Sequence, residues 1–200
     1  MNMGELLALA DGNGTIITAS ITKADKRHCE VQVEEKKQVE RPKRKISIAI
    51  SLLKNANRFE WFLEKATEIG VSEIIPLICR RTERQHFRYD RMKNILIAAM
   101  LQSQQAWLPA LHEPVLFNIV VNDAKQAQKF VAHCLETEKQ HINALPFLHE
   151  VLMLIGPEGD FTTEEIDTCL KQGFIPVTLG NTRLRTETAG IVAATFLANL

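Results

Sequence analysis

Apolar and polar residues follow two different periods along the chain, which divides it near residue 45. The first part is predicted to contain the strands Gly4–Ala10, Gly14–Lys23 and His28–Glu35. The sequence Asp-Gly-Asn-Gly between the first two is typical of a hairpin turn, because positive φ is easily adopted there. Three short strands cannot fold alone, so residues 1–40 are predicted to be part of a small β-barrel. The polar stretch Gln38–Lys45 is the predicted linker.

After residue 45, short apolar segments alternate with segments of helical period, which predicts βαβ units and an α/β fold. We expect a mostly parallel sheet of five or more strands, flanked by helices. The predicted strands are Ile46–Leu53, Glu73–Cys79, Val115–Val121, Val151–Ile155 and Ile175–Leu179. The predicted helices are Asn57–Ile69, Asp90–Gln105, Asp123–Leu135, a helix between Thr162 and Gly173, and Thr188–Ala198.

Cap residues mark two of these helices. Asn57 with Glu60 three residues later predicts a capping box, and Thr162 with Glu165 predicts a second one. The last predicted helix is apolar on almost every side. Such a helix is either fully buried or covered by a partner subunit.

The net charge is zero, but one segment is strongly basic. A basic cluster on a neutral protein can neutralise the phosphates of RNA, although a solvated helix face has the same composition. The predicted RNA-binding residues are Arg80, Arg81, Arg84, Arg88 and Arg91.

The cysteines and the apolar runs exclude several classes. The four cysteines are widely spaced and form no C-x-x-C pair, which argues against a zinc site and a disulfide framework. No apolar run approaches the roughly 20 residues of a membrane span, and the N-terminus does not resemble a signal peptide. We expect a cytoplasmic protein with no metal and no membrane association.

Two glycine-bearing loops follow the last two predicted strands, where α/β proteins build small-molecule sites. In the first, Gly156-Pro157-Glu158-Gly159, proline fixes φ and the second glycine permits a positive one, which leaves amides open to a ligand. The same tetrapeptide is often only a turn. Neither G-x-G-x-x-G nor the P-loop sequence occurs, so the common dinucleotide and triphosphate fingerprints are absent.

The second loop runs from Leu179-Gly180 to Leu184-Arg185-Thr186-Glu187-Thr188. Thr186 is the expected N-cap, and Glu187 in the first turn is favoured by the helix dipole. Arg185 directly precedes the apolar helix. We expect it to need an anionic partner, either a local glutamate or a ligand.

These loops, together with Lys65-Ala66-Thr67-Glu68-Ile69-Gly70-Val71 and Gln102-Ser103 upstream, occur in an ordered set that resembles one family. It is the SPOUT-class 16S ribosomal RNA (uracil-N3) methyltransferase family, and the resemblance covers roughly residues 46–200. Three positions depart from its pattern. Asp160 replaces a third glycine, Gln85 replaces a serine, and Gln105 replaces a basic residue.

The resemblance implies a methyltransferase domain at residues 46–200 with a C-terminal trefoil knot, and a partial PUA-like RNA-binding domain at residues 1–40. It implies S-adenosylmethionine as the cofactor, 16S ribosomal RNA or the small ribosomal subunit as the partner, and a homodimer. The implied cofactor-binding residues are Leu154, Ile155, Gly156, Gly159, Leu179, Gly180, Leu184 and Thr186. The implied catalytic residues are Arg185, Glu158 and Glu187.

Methyl transfer to uracil N3 is a direct displacement, which makes positioning the main task. Loss of the N3 proton places negative charge on the flanking carbonyls, and Arg185 can stabilise that charge. Either Glu158 or Glu187 can be the base. Two other readings remain: methylation of a ribose 2′-hydroxyl, and an RNA-binding module without catalysis.

Overall fold

The computed structural model describes residues 2–83 and 86–198. Its N-terminal part is a three-stranded antiparallel sheet in the order β1-β2-β3. The strands are β1 (Leu6–Ala10), β2 (Thr15–Ala24) and β3 (Cys29–Gln38). Gly12 and Gly14 have φ of 72° and 93° in the predicted hairpin turn. These values are why glycine stands at both positions.

The second sheet contains eight strands within the described part of the chain, and all its pairings are parallel. The predicted mostly parallel sheet of five or more strands is therefore confirmed. Its strands are β4 (Lys45–Ser51), β5 (Glu73–Ile78), β6 (Ala110–Leu111), β7 (Val115–Leu116), β8 (Gln128–Ala132), β9 (Gln140–His141), β10 (Glu150–Ile155) and β11 (Ile175–Thr178). The order is β6-β5-β4-β10-β8-β11-β9, and β7 pairs with β5.

Helices cover both faces of this sheet. They are α1 (Ala56–Ile69), α2 (Tyr89–Gln102), α3 (Phe117–Asp123), α4 (Thr163–Lys171) and α5 (Thr186–Ala198). Both faces of the central strand β10 are buried: Met153 and Ile155 pack in one apolar cluster, and Leu152 and Leu154 pack in the other. That burial explains why β10 is a continuous apolar run.

Two predicted elements are wrong. Val115–Val121 was predicted as a strand, but only its first two residues are extended and the rest belongs to α3. Phe117, Val120 and Val121 are buried at helical spacing, so α3 packs one apolar face on the sheet. The predicted helix Asp123–Leu135 contains β8, whose residues are buried on both sides. In such a short apolar run, a helix and a strand leave the same pattern.

The helix ends also differ in detail. Asn55, not Asn57, caps α1 by accepting the Asn57 N–H at 3.0 Å. Glu60 forms no capping box, because its carboxylate binds Arg91 instead. The box of Thr162 and Glu165 is confirmed, with both of its hydrogen bonds present.

Gln105 lies beyond α2, which ends at Gln102. Its amide donates to the carbonyls of Thr67 and Glu68 at 2.8 and 2.9 Å. These carbonyls belong to the last turn of α1, where backbone acceptors have no partner within the helix. Gln105 therefore closes the C-terminal end of α1.

The N-terminal sheet attaches to the segment that follows Gln105. Gly14 N–H donates to the Ala106 carbonyl, and Leu108 N–H donates to the Gly12 carbonyl, each at 2.9 Å. A Cβ on Gly14 would lie 2.4 Å from the ring of Trp107, so the indole packs directly on glycine backbone. The trefoil knot stays a prediction, because strand order alone does not define how the chain is threaded.

Candidate active site

A cavity of about 450 Å³ lies at the carboxyl ends of β8, β10 and β11. This is the edge at which parallel sheets present loops to ligands. The two predicted loops come together here, although residues 160–178 separate them in the chain. The predicted site residues that line the cavity are Ile155, Gly156, Glu158, Leu179, Gly180, Leu184, Arg185 and Thr186.

Three predicted site residues do not line the cavity. The Leu154 side chain points to the opposite face of β10 and is fully buried there, because side chains alternate along a strand. Gly159 faces Arg81, whose Nη1 donates to its carbonyl at 2.6 Å. Glu187 is 7% exposed and lies behind the cavity wall.

The first loop is shaped by close approach and by one unusual residue. A Cβ on Gly156 would lie 3.0 Å from the ring of Phe161, so a larger residue would push that ring away. The Asp160 N–H donates to the Pro157 carbonyl at 2.9 Å, which closes the turn. Asp160 has φ of 65°, a left-handed conformation that favours glycine and is tolerated by aspartate.

Arg185 is exposed at the mouth of the cavity. Its carbonyl accepts the Ala189 N–H at 2.7 Å, so Arg185 precedes the first turn of α5 and Thr186 is already helical. The prediction that Thr186 is the N-cap is therefore wrong. Within residues 2–83 and 86–198, the Arg185 guanidinium has no ion pair, and its exposed position makes it accessible to solvent.

The sequence did not reveal Arg58, which also lines the cavity. Its Nη1 lies 3.3 Å from Glu158 Oε1, and its Nε lies 3.7 Å from Glu187 Oε1. One guanidinium on α1 thus joins both predicted catalytic glutamates. The second oxygen of Glu187 is buried and has no hydrogen-bond partner in the described structure. Arg58 and Glu158 are 100 residues apart, and no local pattern records that contact.

His133 is a second lining residue that the sequence analysis missed. It directly follows β8, which was predicted to be helical. Burial lowers the pKa of His133, and the nearby Lys139 ammonium lowers it further, while Asp160 raises it. The imidazole is therefore neutral near pH 7.

The basic segment is only partly free to bind phosphate. Arg80 and Arg88 are exposed, whereas Arg81 donates to the loop carbonyl of Gly159. Arg91 forms a bidentate pair with Glu60, at 2.6 and 2.8 Å. The predicted RNA-binding residue Arg84 lies outside the described residues, as does Gln85.

Two of the four cysteines are buried and two are exposed. Burial raises the pKa of the Cys79 and Cys169 thiols to about 12, and the nearby Glu165 carboxylate adds to the effect. Cys29 and Cys134 are exposed, and Cys134 lines the cavity. The part of the chain that the structure describes holds no cluster of three or more metal-binding side chains. It also has no helix of the length and apolar character that a membrane crossing requires.

The fold and the cavity together define a class of protein: an α/β protein with a loop-lined cavity at the carboxyl edge of a parallel sheet, where proteins of this class bind small molecules. A family model described as an RNA methyltransferase domain matches residues 39–198. The chain belongs to this RNA methyltransferase domain family, as the ordered motifs predicted.

Proteins of similar sequence and structure support this family assignment. The ribosomal RNA small subunit methyltransferase E of Mesomycoplasma hyopneumoniae is 32% identical over 160 residues, which cover 77% of this chain and 69% of that protein. A probable rRNA methyltransferase structure from Porphyromonas gingivalis is 38% identical, has a TM-score of 0.93 and aligns over 100% of this chain and 86% of its own.

A putative methyltransferase from Legionella pneumophila, solved with bound SAM, is 33% identical and has a TM-score of 0.90. The alignment covers 98% of this chain and 84% of that one. The chain spans 65% of the length of a Synechocystis relative with the same name as the Mesomycoplasma protein.

Proposed function

We propose that this protein methylates N3 of a specific uridine in 16S ribosomal RNA, with S-adenosylmethionine as the methyl donor. The observation that carries the proposal is the cavity between the two loops, with backbone on its walls and Arg185 at its mouth. Family membership supports RNA methylation as the reaction. The bound SAM of the Legionella relative supports the donor.

The residues of the cavity fit this donor. A volume of about 450 Å³ is within the range of small-molecule sites. Apolar side chains of Ile155, Leu179 and Leu184 can contact a nucleoside, while the backbone of Gly156 at the cavity wall can hydrogen-bond to it. S-adenosylmethionine supplies an electrophilic methyl group on a sulfonium.

The protein contributes positioning and electrostatics. Arg185 is exposed at the cavity mouth, where it can meet the carbonyl oxygens beside uracil N3 and stabilise their charge as the N3 proton leaves. Glu158 lines the cavity and is our proposed base. Glu187 does not line it and is proposed to act through Arg58, which contacts both glutamates.

We assign RNA binding to the exposed arginines Arg80 and Arg88 and to the N-terminal sheet, as the remaining part of a PUA-like domain at residues 1–40. We also propose a homodimer. Its support is α5, which keeps Ile191, Val192 and Phe196 partly exposed although it is apolar on almost every side. A ribosomal RNA substrate places the reaction in the cytoplasm.

The test is nucleoside mass spectrometry of 16S ribosomal RNA from cells that lack the gene. We expect 3-methyluridine to disappear at one position and to return with the wild-type gene, but not with Arg185→Ala. Loss of a 2′-O-methylated nucleotide instead would establish the alternative reaction. Unchanged modification, together with no binding of the donor in calorimetry, would leave an RNA-binding module without catalysis.

A further inference from the structure

His133 is a buried polar side chain in the cavity that the methyl-transfer mechanism above does not use. It follows Ala132, the last residue of β8, and Ala132 pairs with Ile155 on one side and Val177 on the other. His133 therefore stands in the middle of the carboxyl edge of the sheet. It is 7% exposed, and neither ring nitrogen has a hydrogen-bond partner within the part of the chain that the structure describes.

These unpartnered nitrogens point to a ligand. A neutral imidazole has one N–H donor and one acceptor. Buried polar groups in folded proteins nearly always have partners, and a group left without one lowers stability. A molecule bound in the cavity would supply both partners if it carried a donor and an acceptor close together.

Asp160 ties the loop that carries His133 to the loop that follows β10. Its Oδ2 accepts the Cys134 N–H at 2.8 Å, and its Oδ1 accepts the Phe161 N–H at 2.9 Å. Asp160 makes both bonds from a left-handed backbone conformation with φ of 65°. A glycine could adopt the same backbone, but it would make neither bond.

Lys139 holds the same loop from its other end. Its Nζ donates to the carbonyls of His133 and Leu135, at 3.0 and 2.7 Å. The Asp160 carboxylate thus binds one backbone amide and the Lys139 ammonium binds two backbone carbonyls, all three within residues 133–135. His133 is fixed in the cavity wall by ionic side chains on both sides of the chain.

We propose that His133 binds the nucleoside half of the methyl donor and that Asp160 is the residue that positions it. The inference rests on the proposed function, because it takes S-adenosylmethionine as the donor. The apolar neighbours Ala132, Ile155 and Val177 suit a flat base, and the base and ribose together offer the donor and acceptor that a neutral imidazole needs. The amino-acid half of the donor carries charges, which match this apolar region poorly.

Calorimetric titration of the purified full chain with S-adenosylhomocysteine, and with adenosine in competition, tests this assignment. We expect His133→Ala to lower the affinity for both ligands by on the order of tenfold. His133→Gln keeps a donor and an acceptor, so it should retain part of the affinity that His133→Ala loses. Asp160→Gly keeps the left-handed backbone but removes both hydrogen bonds of the carboxylate, and we expect a similar loss of affinity. His149→Ala and Asp167→Asn, both at exposed positions outside the cavity, are the matched controls.

The double variant separates positioning from a general structural effect. If Asp160 acts through His133, then Asp160→Gly in a His133→Ala background adds little to the loss, because the two effects are coupled. If Asp160→Gly lowers the affinity of the His133→Ala protein as much as it lowers that of wild type, the positioning role of Asp160 is overturned. A His133→Ala effect on S-adenosylhomocysteine but not on adenosine overturns the nucleoside assignment, as does unchanged affinity for both. A wild-type protein that binds neither ligand overturns the proposed function itself.

Discussion

Arg58 and Glu187 form a partly buried ion pair across the wall of the cavity, with Arg58 Nε 3.7 Å from Glu187 Oε1. The glutamate side chain is 9% exposed and the arginine side chain 36%. The carboxylate therefore depends on one guanidinium for most of its compensation.

We expect Arg58→Ala to lower the free energy of unfolding by about 1–3 kcal/mol, because it leaves a buried carboxylate without its cation. Urea denaturation measures this change. Glu187→Gln keeps the shape without the charge, so the double variant should be more stable than Arg58→Ala alone. A double variant that is as unstable as the sum of the single changes would show that the pair has no coupling.

We expect Arg185→Ala to reduce kcat by about 10²–10³-fold if Arg185 stabilises the developing charge, as single oxyanion donors do in other enzymes. Its side chain is exposed, so the free energy of unfolding should change by less than about 0.5 kcal/mol. Methyl transfer to small ribosomal subunits measures the first effect, and thermal denaturation measures the second. Lys171→Ala removes a cation outside the cavity and is the control; an Arg185→Ala enzyme with full turnover would remove this residue from the mechanism.

The two arginines at the start of α2 should differ in their effect on RNA binding. Arg88 is exposed, so Arg88→Ala should reduce the slope of log affinity against log salt concentration by about 1. Arg91 is neutralised by Glu60, so Arg91→Ala should leave that slope nearly unchanged. Filter binding of a 16S fragment over a salt series compares them. Equal slope changes would show that the ion pair opens on the RNA.

The same pair predicts a pH dependence of stability. The Arg91 hydrogen bonds lower the pKa of Glu60, although burial opposes them. A carboxylate with a lowered pKa in the folded state stabilises the fold at neutral pH, and this contribution is lost as pH falls through the folded-state pKa. Wild type should therefore lose stability in acid more steeply than Arg91→Ala, and parallel curves would contradict the prediction.

Thiol titration should distinguish two pairs of cysteines. Burial raises the pKa of Cys79 and Cys169 to about 12, so neither forms the reactive thiolate at pH 8. A chromogenic disulfide should react quickly with Cys29 and Cys134, which are exposed. Saturating S-adenosylhomocysteine should slow the reaction of Cys134, because this residue lines the cavity. Cys134→Ser should remove the ligand-sensitive fraction, and protection of Cys29 instead would place the ligand elsewhere.

The parallel sheet and the meeting of the two loops could be predicted because β10 and β11 have clear apolar runs that end in glycine-bearing turns. Between residues 115 and 135, the structure has a helix where a strand was predicted and a strand where a helix was predicted, and this could not be foreseen. Phe117, Val120 and Val121 occur in an apolar run that fits a strand as well as a helix, and only packing on the sheet decides between them.

Arg58 and His133 could not be predicted as cavity residues, and the reason is the same for both. Arg58 binds a glutamate 100 residues away, and His133 enters the cavity only because β8 lies between β10 and β11. Both depend on sheet order, which local sequence does not encode. The predicted family is confirmed, whereas the roles of Arg185, Glu158 and Glu187, the domain boundaries and the knot stay predictions.

The amide of Gln105 at the end of α1 has a geometric consequence for the whole molecule. The residues directly after it carry the N-terminal sheet, and Arg58 occupies the opposite end of the same helix. The 14 residues of α1 span about 21 Å at 1.5 Å per residue. The length of α1 thus sets the distance between the attachment of the N-terminal sheet at one end of the helix and the cavity at the other.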